Sequence, residues 1–309
     1  MGNKLKAEKR RIIEKTGVEK LFFDFDISRF TSLGVGGSGF CLAVAGGRDE
    51  LKKIISTCLE HGFGFMIIGD GTNILANDGY IDLVFIKLGK GFNYVRLVDD
   101  KNMLVGASYR LSRLVIEAGV FGFDLSFLSG IPGTVGGAIA GNSGDRERGI
   151  CSIVRRLAGF FLHDNNLEEK SIEITYGNFG YRSLNIPDLL VVTDVLLEPE
   201  KLSSEVVQKK IRTKLDERSK NQPIGTRNAG CFFKNPSSCS RSAGELIEEC
   251  GLKGFLYGGA RVSPKHANFI ENLGNATARD IIDLSKIVIG MVFKRTGLNL
   301  EYEIKRVGF

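Results

Sequence analysis

Two glycine-rich stretches carry residue types suited to holding a ligand that bears phosphates. Leu128–Gly144 reads LSGIPGTVGGAIAGNSG, with one proline and no charge. Glycine this dense has a high cost in chain entropy, so it marks a backbone that must turn or let something approach closely. Pro132 followed by Gly133 suits a tight turn. Gly136 and Gly137 lead into small apolar residues, where a short helix can begin with its free N–H groups facing an anion. A buried turn in an irregular core fits the same composition equally well. Ile67–Leu75 reads IIGDGTNIL: a short apolar strand, a glycine turn with polar side chains, then apolar residues again. Two such turns can close on one extended ligand with two phosphates. Neither is a P-loop, because no Gly-Lys-Ser/Thr follows.

Other candidate chemistry is weaker. Gly34, Gly36 and Gly39 form a literal G-x-G-x-x-G, but the apolar strand pattern Phe40–Ala45 follows where a dinucleotide-binding turn would open a helix. The six cysteines (41, 58, 151, 231, 239 and 250) form no Cys-x-x-Cys pair and no Cys/His zinc spacing, so no metal is expected. Scattered thiols in a chain of 309 residues fit a reducing cytoplasm and mostly buried positions. His61 and His163 read as helix-end and loop residues, and His266 as a packing histidine.

Composition sets the frame for these residues. Hydrophobic content of 43% and charged content of 25% are those of a soluble globular protein, and the length calls for two or three domains. No apolar stretch is long enough to span a bilayer, and the N-terminus lacks a secretory pattern. Most of the net charge of +6 falls in residues 1–20. With no aromatic residues interleaved among those charges, they read as a solvated helix over 3–16 rather than a nucleic-acid or lipid contact.

The positioning elements follow from periodicity and caps. Asp49–His61 is amphipathic, with Leu51, Ile54, Ile55, Cys58 and Leu59 on one face and Gly62 as its stop. Strands are expected at Phe65–Ile68, Leu83–Leu88, Tyr94–Val98, Met103–Gly106, Val154–Leu162, Leu167–Ile174 and Val191–Leu197, and a short helix at Ser112–Ala118. A charged helix spans Ser203–Lys220. Ser242 with Glu245 and Thr277 with Asp280 are capping boxes. The second box opens a helix whose Ile281, Leu284, Val288, Met291 and Val292 face inward, and Gly297 ends it. Leu298–Val307 alternates, with Leu300, Tyr302 and Ile304 opposite Glu301, Glu303 and Lys305, as in a half-buried strand. Short strands and helices without long crossovers favour α+β. A boundary is expected near residue 200, dividing the chain into 1–200 and 201–309.

Taken singly, Arg182 in YGNFGYRS reads as a surface arginine near a turn, Glu303 as a solvated carboxylate, and Cys231 as a structural thiol. Taken together with GDGTNIL and FLSGIPGTVGGAIAGNSG, the segments GNFGYRS, AGCFFKNP, SPKHANFIEN and EIKRVG closely resemble the UDP-N-acetylenolpyruvoylglucosamine reductase family, in its shorter form. The motifs are widely spaced and in the expected order, and they cover nearly the whole chain.

The resemblance implies a flavin-binding domain of the vanillyl-alcohol oxidase (PCMH) type in two subdomains, plus a smaller α+β substrate-binding domain. It implies non-covalent FAD, NADPH as co-substrate, and reduction of the enolpyruvyl ether of a UDP-sugar to UDP-N-acetylmuramate for the cell wall. Neither nucleic acid nor membrane is an expected partner, and a cytoplasmic monomer is expected. The flavin residues implied in the first turn are Ile68, Gly69, Asp70, Gly71, Thr72, Asn73 and Ile74. In the second stretch they are Ser129, Gly130, Ile131, Pro132, Gly133 and Thr134, then Gly136 and Gly137, then Asn142, Ser143 and Gly144. Tyr181, Lys234 and Asn235 are implied substrate contacts.

Arg182, Cys231 and Glu303 are the implied catalytic residues. Negative charge develops on the enolpyruvyl carboxylate during reduction, and a fixed arginine stabilises it. An acid must then protonate the adjacent carbon. Cys231 stands where the family usually has serine. Its thiol, with a reference pKa of about 8.5, is a stronger acid than an alcohol, and it is oxidisable. The competing readings are a flavin oxidase or dehydrogenase of the same fold acting on another substrate, and a non-catalytic flavin or UDP-sugar binding module. The joint presence of AGCFFKNP and EIKRVG argues against the first, and the three catalytic residues together argue against the second.

Overall fold

The chain crosses several times between two compact units. In the computed structural model, which describes residues 2–309, one unit comprises residues 2–23, 41–69 and 83–216, and the other 24–40, 70–82 and 217–309. This division differs from a single cut after residue 200. The segments that depart from it are 24–40, 70–82 and 201–216.

The first unit holds a five-stranded antiparallel sheet, ordered Val95–Leu97, Met103–Gly106, Leu189–Leu197, Val154–His163 and Asn166–Glu173. A four-stranded sheet, ordered Lys20–Asp26, Ser38–Ala45, Ile81–Leu88 and Phe65–Ile68, lies in it wholly or in large part. Its last pair is parallel. The helix Arg48–Glu60 buries Leu51, Ile54, Ile55 and Cys58 of the stripe expected of a 3.6-residue period, with Leu59 half-buried at its edge. The helix Leu111–Val120 approaches Ser204–Asn221 so closely at Gly119 that a Cβ there would lie 2.8 Å from Ile211 Cδ1. His163 is the last residue of a strand rather than a loop residue, and its Nδ1 lies 3.0 Å from Asp188 Oδ2.

In the second unit, the strands Arg227–Asn228, Ile270–Asn272, Ala260–Val262 and Leu256–Tyr257 form an antiparallel sheet in that order. Both capping boxes are present, opening the helices Ala243–Glu249 and Ala278–Thr296, and Gly297 ends the latter at φ +71°. Ile281, Leu284, Val288 and Val292 enter the core with Phe232, Phe233, Leu246 and Ile247. Met291 is 40% exposed, a correction to the inward stripe. At a hundred degrees per residue it falls beside the stripe rather than in it. The alternation over 298–307 holds for burial in part. Leu300 and Ile304 are inside and Glu301 and Lys305 exposed, but Tyr302 and Glu303 are both half-buried and the phase reverses at Arg306 and Val307, of which only Val307 is buried. Only Lys305–Val307 forms a strand, parallel to Ile74–Ala76. The residues before it pair at the single bridge Phe233–Tyr302.

Asp124, 1% exposed, shows how the first unit anchors its glycine stretch. Its carboxylate accepts from Ser126 N at 2.9 Å and Lys210 Nζ at 2.7 Å. Burial works against the charge, but these hydrogen bonds outweigh it and hold the carboxyl below its ordinary value of 3.8. A depressed folded pKa stabilises fully above the unfolded value, and that contribution is lost as pH falls through the folded one. Asp124→Asn therefore lowers unfolding stability at pH 7 by about 1–3 kcal/mol. Urea titrations between pH 7 and 3 should show the gap to wild type closing below about pH 3.8. A gap that is constant with pH would remove the charge from the account.

Candidate active site

In the first unit the glycine stretch turns twice, with Gly130 at φ +75° and Gly133 at φ +103°. Thr134 then caps the helix Val135–Ala140, its Oγ1 accepting from Gly137 N. The expectation that this helix offers free N–H groups to an anion is corrected. Val135 N donates to Tyr109 O at 2.9 Å and Gly136 N to Ala107 O at 2.8 Å. The helix start lies against residues 107–109, where a Cβ on Gly136 would come within 2.9 Å of Ala107 Cβ. The first turn meets the second here: a Cβ on Gly69 would lie 2.8 Å from Thr134 Oγ1.

Arg182 sits in the same unit on a hairpin of Phe179–Gly180 with Ser183–Leu184. Tyr181 and Arg182 form its two-residue turn. Arg182 takes φ +54°, a left-handed conformation that costs a non-glycine residue about 1–3 kcal/mol and recurs at functional sites. Its guanidinium lies 5.2 Å from the Tyr181 ring centroid.

The second unit holds the rest of the first turn. Gly71 is at φ +64°, and a Cβ there would fall 1.9 Å from Phe30 O, so glycine is required by the protein's own backbone. Asn73 O accepts from Lys305 N at 3.0 Å, and Asn73 Nδ2 donates to Glu303 O at 3.2 Å. Glu303 N donates in turn to Phe232 O at 3.0 Å. The Glu303 backbone is thus held from one side by the glycine turn and from the other by the segment that follows Cys231. Cys231 is half-buried and follows Gly230, which turns at φ +76°. Lys234 N donates to Glu301 O at 2.8 Å, and its Nζ lies 3.6 Å from Glu301 Oε2. Asn235 Oδ1 accepts from Ala243 N at 3.0 Å, at the start of the helix Ala243–Glu249.

The SPKHANFIEN segment is scaffold at most of its polar positions. Asn268, 2% exposed, accepts from Phe233 N at 2.9 Å and donates to Phe233 O at 2.8 Å. Glu271 pairs with Arg261 at 2.8 Å. Asn272 Nδ2 donates to Leu33 O at 2.8 Å. His266 packs on Phe269 with ring centroids 4.9 Å apart. Sequence reasoning missed Asn268 and Asp124. For Asn268 the signal was a short polar side chain between apolar neighbours in HANFI. The second unit also has a cavity of about 340 Å³, lined by Thr226, Arg227, Arg261, Glu271, Asn272, Leu273 and Gly274. None of the expected site residues lines it. Among the described residues no cluster of His, Cys, Asp and Glu is placed to hold a metal, and no helix is long and apolar enough to cross a membrane.

The second glycine stretch fits a bound organic cofactor at one telling atom. Ser129 is 2% exposed, and its Oγ has no hydrogen-bond partner among the described residues. A buried hydroxyl without a partner carries a desolvation cost that a ligand can relieve. The family model described as an FAD binding domain matches residues 41–159, which include this stretch. The fold and site are therefore those of an FAD-binding flavoprotein.

A second family model, UDP-N-acetylenolpyruvoylglucosamine reductase, C-terminal domain, matches residues 222–307. Relatives named UDP-N-acetylenolpyruvoylglucosamine reductase include one from Rickettsia massiliae, 34% identical over 92% of this chain and 95% of its own. Another, from Heliobacterium modesticaldum, is 37% identical over 91% of this chain and 89% of its own. The crystal structure of the Thermus caldophilus reductase superimposes with a TM-score of 0.76 at 32% identity, covering 93% of this chain and 98% of that one. The chain belongs to the UDP-N-acetylenolpyruvoylglucosamine reductase family.

The orphaned hydroxyl makes a prediction with two signs. Ser129→Ala should leave the flavin-free protein as stable as wild type or more so, because it removes an unsatisfied buried group. The same change should weaken FAD binding roughly two- to ten-fold, the worth of one hydrogen bond. Thermal unfolding of the stripped protein and a flavin fluorescence titration read the two signs separately. Unchanged FAD affinity would remove Ser129 from the cofactor site.

Proposed function

We propose that this protein uses NADPH to reduce UDP-N-acetylglucosamine enolpyruvate to UDP-N-acetylmuramate, a step of peptidoglycan synthesis. The observation that carries the reading is the double anchoring of Glu303 between the flavin-type turn at Asn73 and the Cys231–Phe233 segment. Such anchoring fixes a carboxylate and a thiol on adjoining backbone, as a site needing a proton donor and a polarising group requires. FAD, when bound, supplies the two-electron redox step between NADPH and the sugar. Its binding is assigned to the two glycine turns, with Ser129 and the backbone of Gly130 and Gly133 as contacts. Substrate binding is assigned to residues 201–309 together with Tyr181, with Lys234 and Asn235 as contacts.

The protein's own groups do the rest. Adding hydride to the substrate methylene breaks the C=C bond and pushes an electron pair towards the carboxylate. Arg182 meets that charge through two N–H groups. The Cys231 thiol gives its proton to the neighbouring carbon, which completes the saturated lactyl ether. Glu303 hydrogen-bonds the same region and holds it in orientation.

Arg182→Ala and Glu303→Gln should each lower kcat roughly a hundred- to a thousand-fold, with FAD content unchanged. Cys231→Ser should stay substantially active. Cys231→Ala should slow only the half-reaction with the sugar, leaving reduction by NADPH near normal in stopped flow. Two outcomes would sink the reading: near-normal kcat in both charged-residue variants, or NADPH turnover that is unaffected by omitting the enolpyruvyl sugar.

A further inference from the structure

Asn142 occupies the end of the second glycine stretch in a conformation glycine favours, at φ +39°, and is only 6% exposed. The resemblance places it among the cofactor contacts, but both ends of its amide are taken up by protein. Its Oδ1 accepts from Cys151 N at 3.0 Å, and its Nδ2 donates to Gly180 O at 2.7 Å. The surroundings are shaped for it. A Cβ on Gly149 would come within 2.1 Å of Asn142 Oδ1, so that position admits no side chain. Gly144 bridges to Gly149 and closes the loop beneath.

What Asn142 holds is the hairpin of Arg182. Gly180 pairs with Ser183, and Arg182 lies in the two-residue turn between them. That hairpin is a sheet of two strands with two residues each. So short a hairpin has marginal stability by itself, and Arg182 adds the strain of its left-handed backbone. A catalytic cation must be fixed within a fraction of an ångström to meet developing charge. An external donor to the Gly180 carbonyl, two residues before the guanidinium-bearing Cα, is the kind of constraint that can fix it.

We propose that Asn142 is a positioning residue for Arg182. Its Nδ2–H to the Gly180 carbonyl ties the cofactor-binding stretch to the hairpin, so the placement of one sets the placement of the other. The inference rests on the reading of Arg182 as the group that meets substrate charge.

The holoenzyme tests it by a double-mutant cycle. Asn142→Asp keeps an acceptor for Cys151 N but has no donor for Gly180, and Asn142→Ala loses both. Each should bind FAD with near-wild-type affinity and melt within a few degrees of wild type, with KM for NADPH unchanged. Each should lower kcat for the enolpyruvyl sugar roughly ten- to a hundred-fold. In the Arg182→Ala background, adding Asn142→Asp should change kcat less than about two-fold, because a residue that acts only through Arg182 has nothing left to position. Multiplicative losses would overturn the proposal, as would wild-type kcat in Asn142→Asp. Loss of FAD or of the fold in both single variants would make Asn142 a cofactor or core residue instead. If Arg182→Ala itself kept normal kcat, the role of Arg182 would fail first, and that result is read from the single variant alone.

Discussion

The backbone of Phe232 ties together three segments of the second unit: 230–235, the turn at Asn268 and the C-terminal residues around Glu303. Phe232 is fully buried, and a buried peptide must find partners for its N–H and C=O. Its N–H donates to Asn268 O at 2.8 Å, and its C=O accepts from Glu303 N. One residue on, the Asn268 side chain satisfies both backbone groups of Phe233 and so replaces the neighbouring strand a sheet would supply. The aromatic rings close the arrangement: Phe233 stacks on Tyr302 with centroids 5.6 Å apart, and Tyr302 Oη lies 2.9 Å from Ser285 Oγ on the long helix. Cys231 and Glu303 thereby sit on rigid backbone without a long strand beneath either of them.

Both glycine turns use an asparagine amide in the same way. Asn73 donates to the carbonyl of Glu303, and Asn142 to a carbonyl near Arg182. Many of the surrounding glycines are dictated by the protein itself. A Cβ on Gly71 would strike Phe30 O, one on Gly144 would lie 2.0 Å from Arg148 O, and one on Gly136 would press on Ala107. The two readings of glycine density, a packed irregular core and a ligand cradle, are therefore compatible. Within the second stretch, close backbone packing at Gly136 and Gly144 coexists with the buried, unsatisfied hydroxyl of Ser129.

What the sequence makes legible is what short-range physics decides. Helix stripes, both capping boxes and the Gly297 stop follow from residues within a few turns of one another, and they are where periodicity puts them. The order of the motifs was enough to assign the family. The use of the N–H groups at Val135 and Gly136 was not legible, because their acceptors are 26 and 29 residues upstream, at Tyr109 and Ala107. The C-terminal segment was half legible. Its alternation marks Leu300 and Ile304 as buried but not the change of phase at Val307, where ladder pairing with residues 74–76, more than two hundred positions earlier, takes over. The interleaving of the two units has the same origin: residues 24–40 and 70–82 carry no local mark of the partner segments they join.

The thiol at the serine position changes the chemistry this chain can undergo. Burial pushes the Cys41, Cys58 and Cys151 thiols up to about 12. They are shielded from solvent and almost wholly protonated at neutral pH, so they are poor nucleophiles. Cys250 is also pushed up by burial. Cys231 is half-buried and precedes Phe232, whose N–H and C=O are both held; it is the residue proposed above as the proton donor. A serine there can only give or accept a proton. A cysteine can also be oxidised or alkylated; Cys239 and Cys250 are half-buried as Cys231 is, whereas Cys41, Cys58 and Cys151 are buried. On the proposed role, a thiol at this position keeps an acid for the substrate carbon and adds a point at which the redox state of the surroundings can reach it.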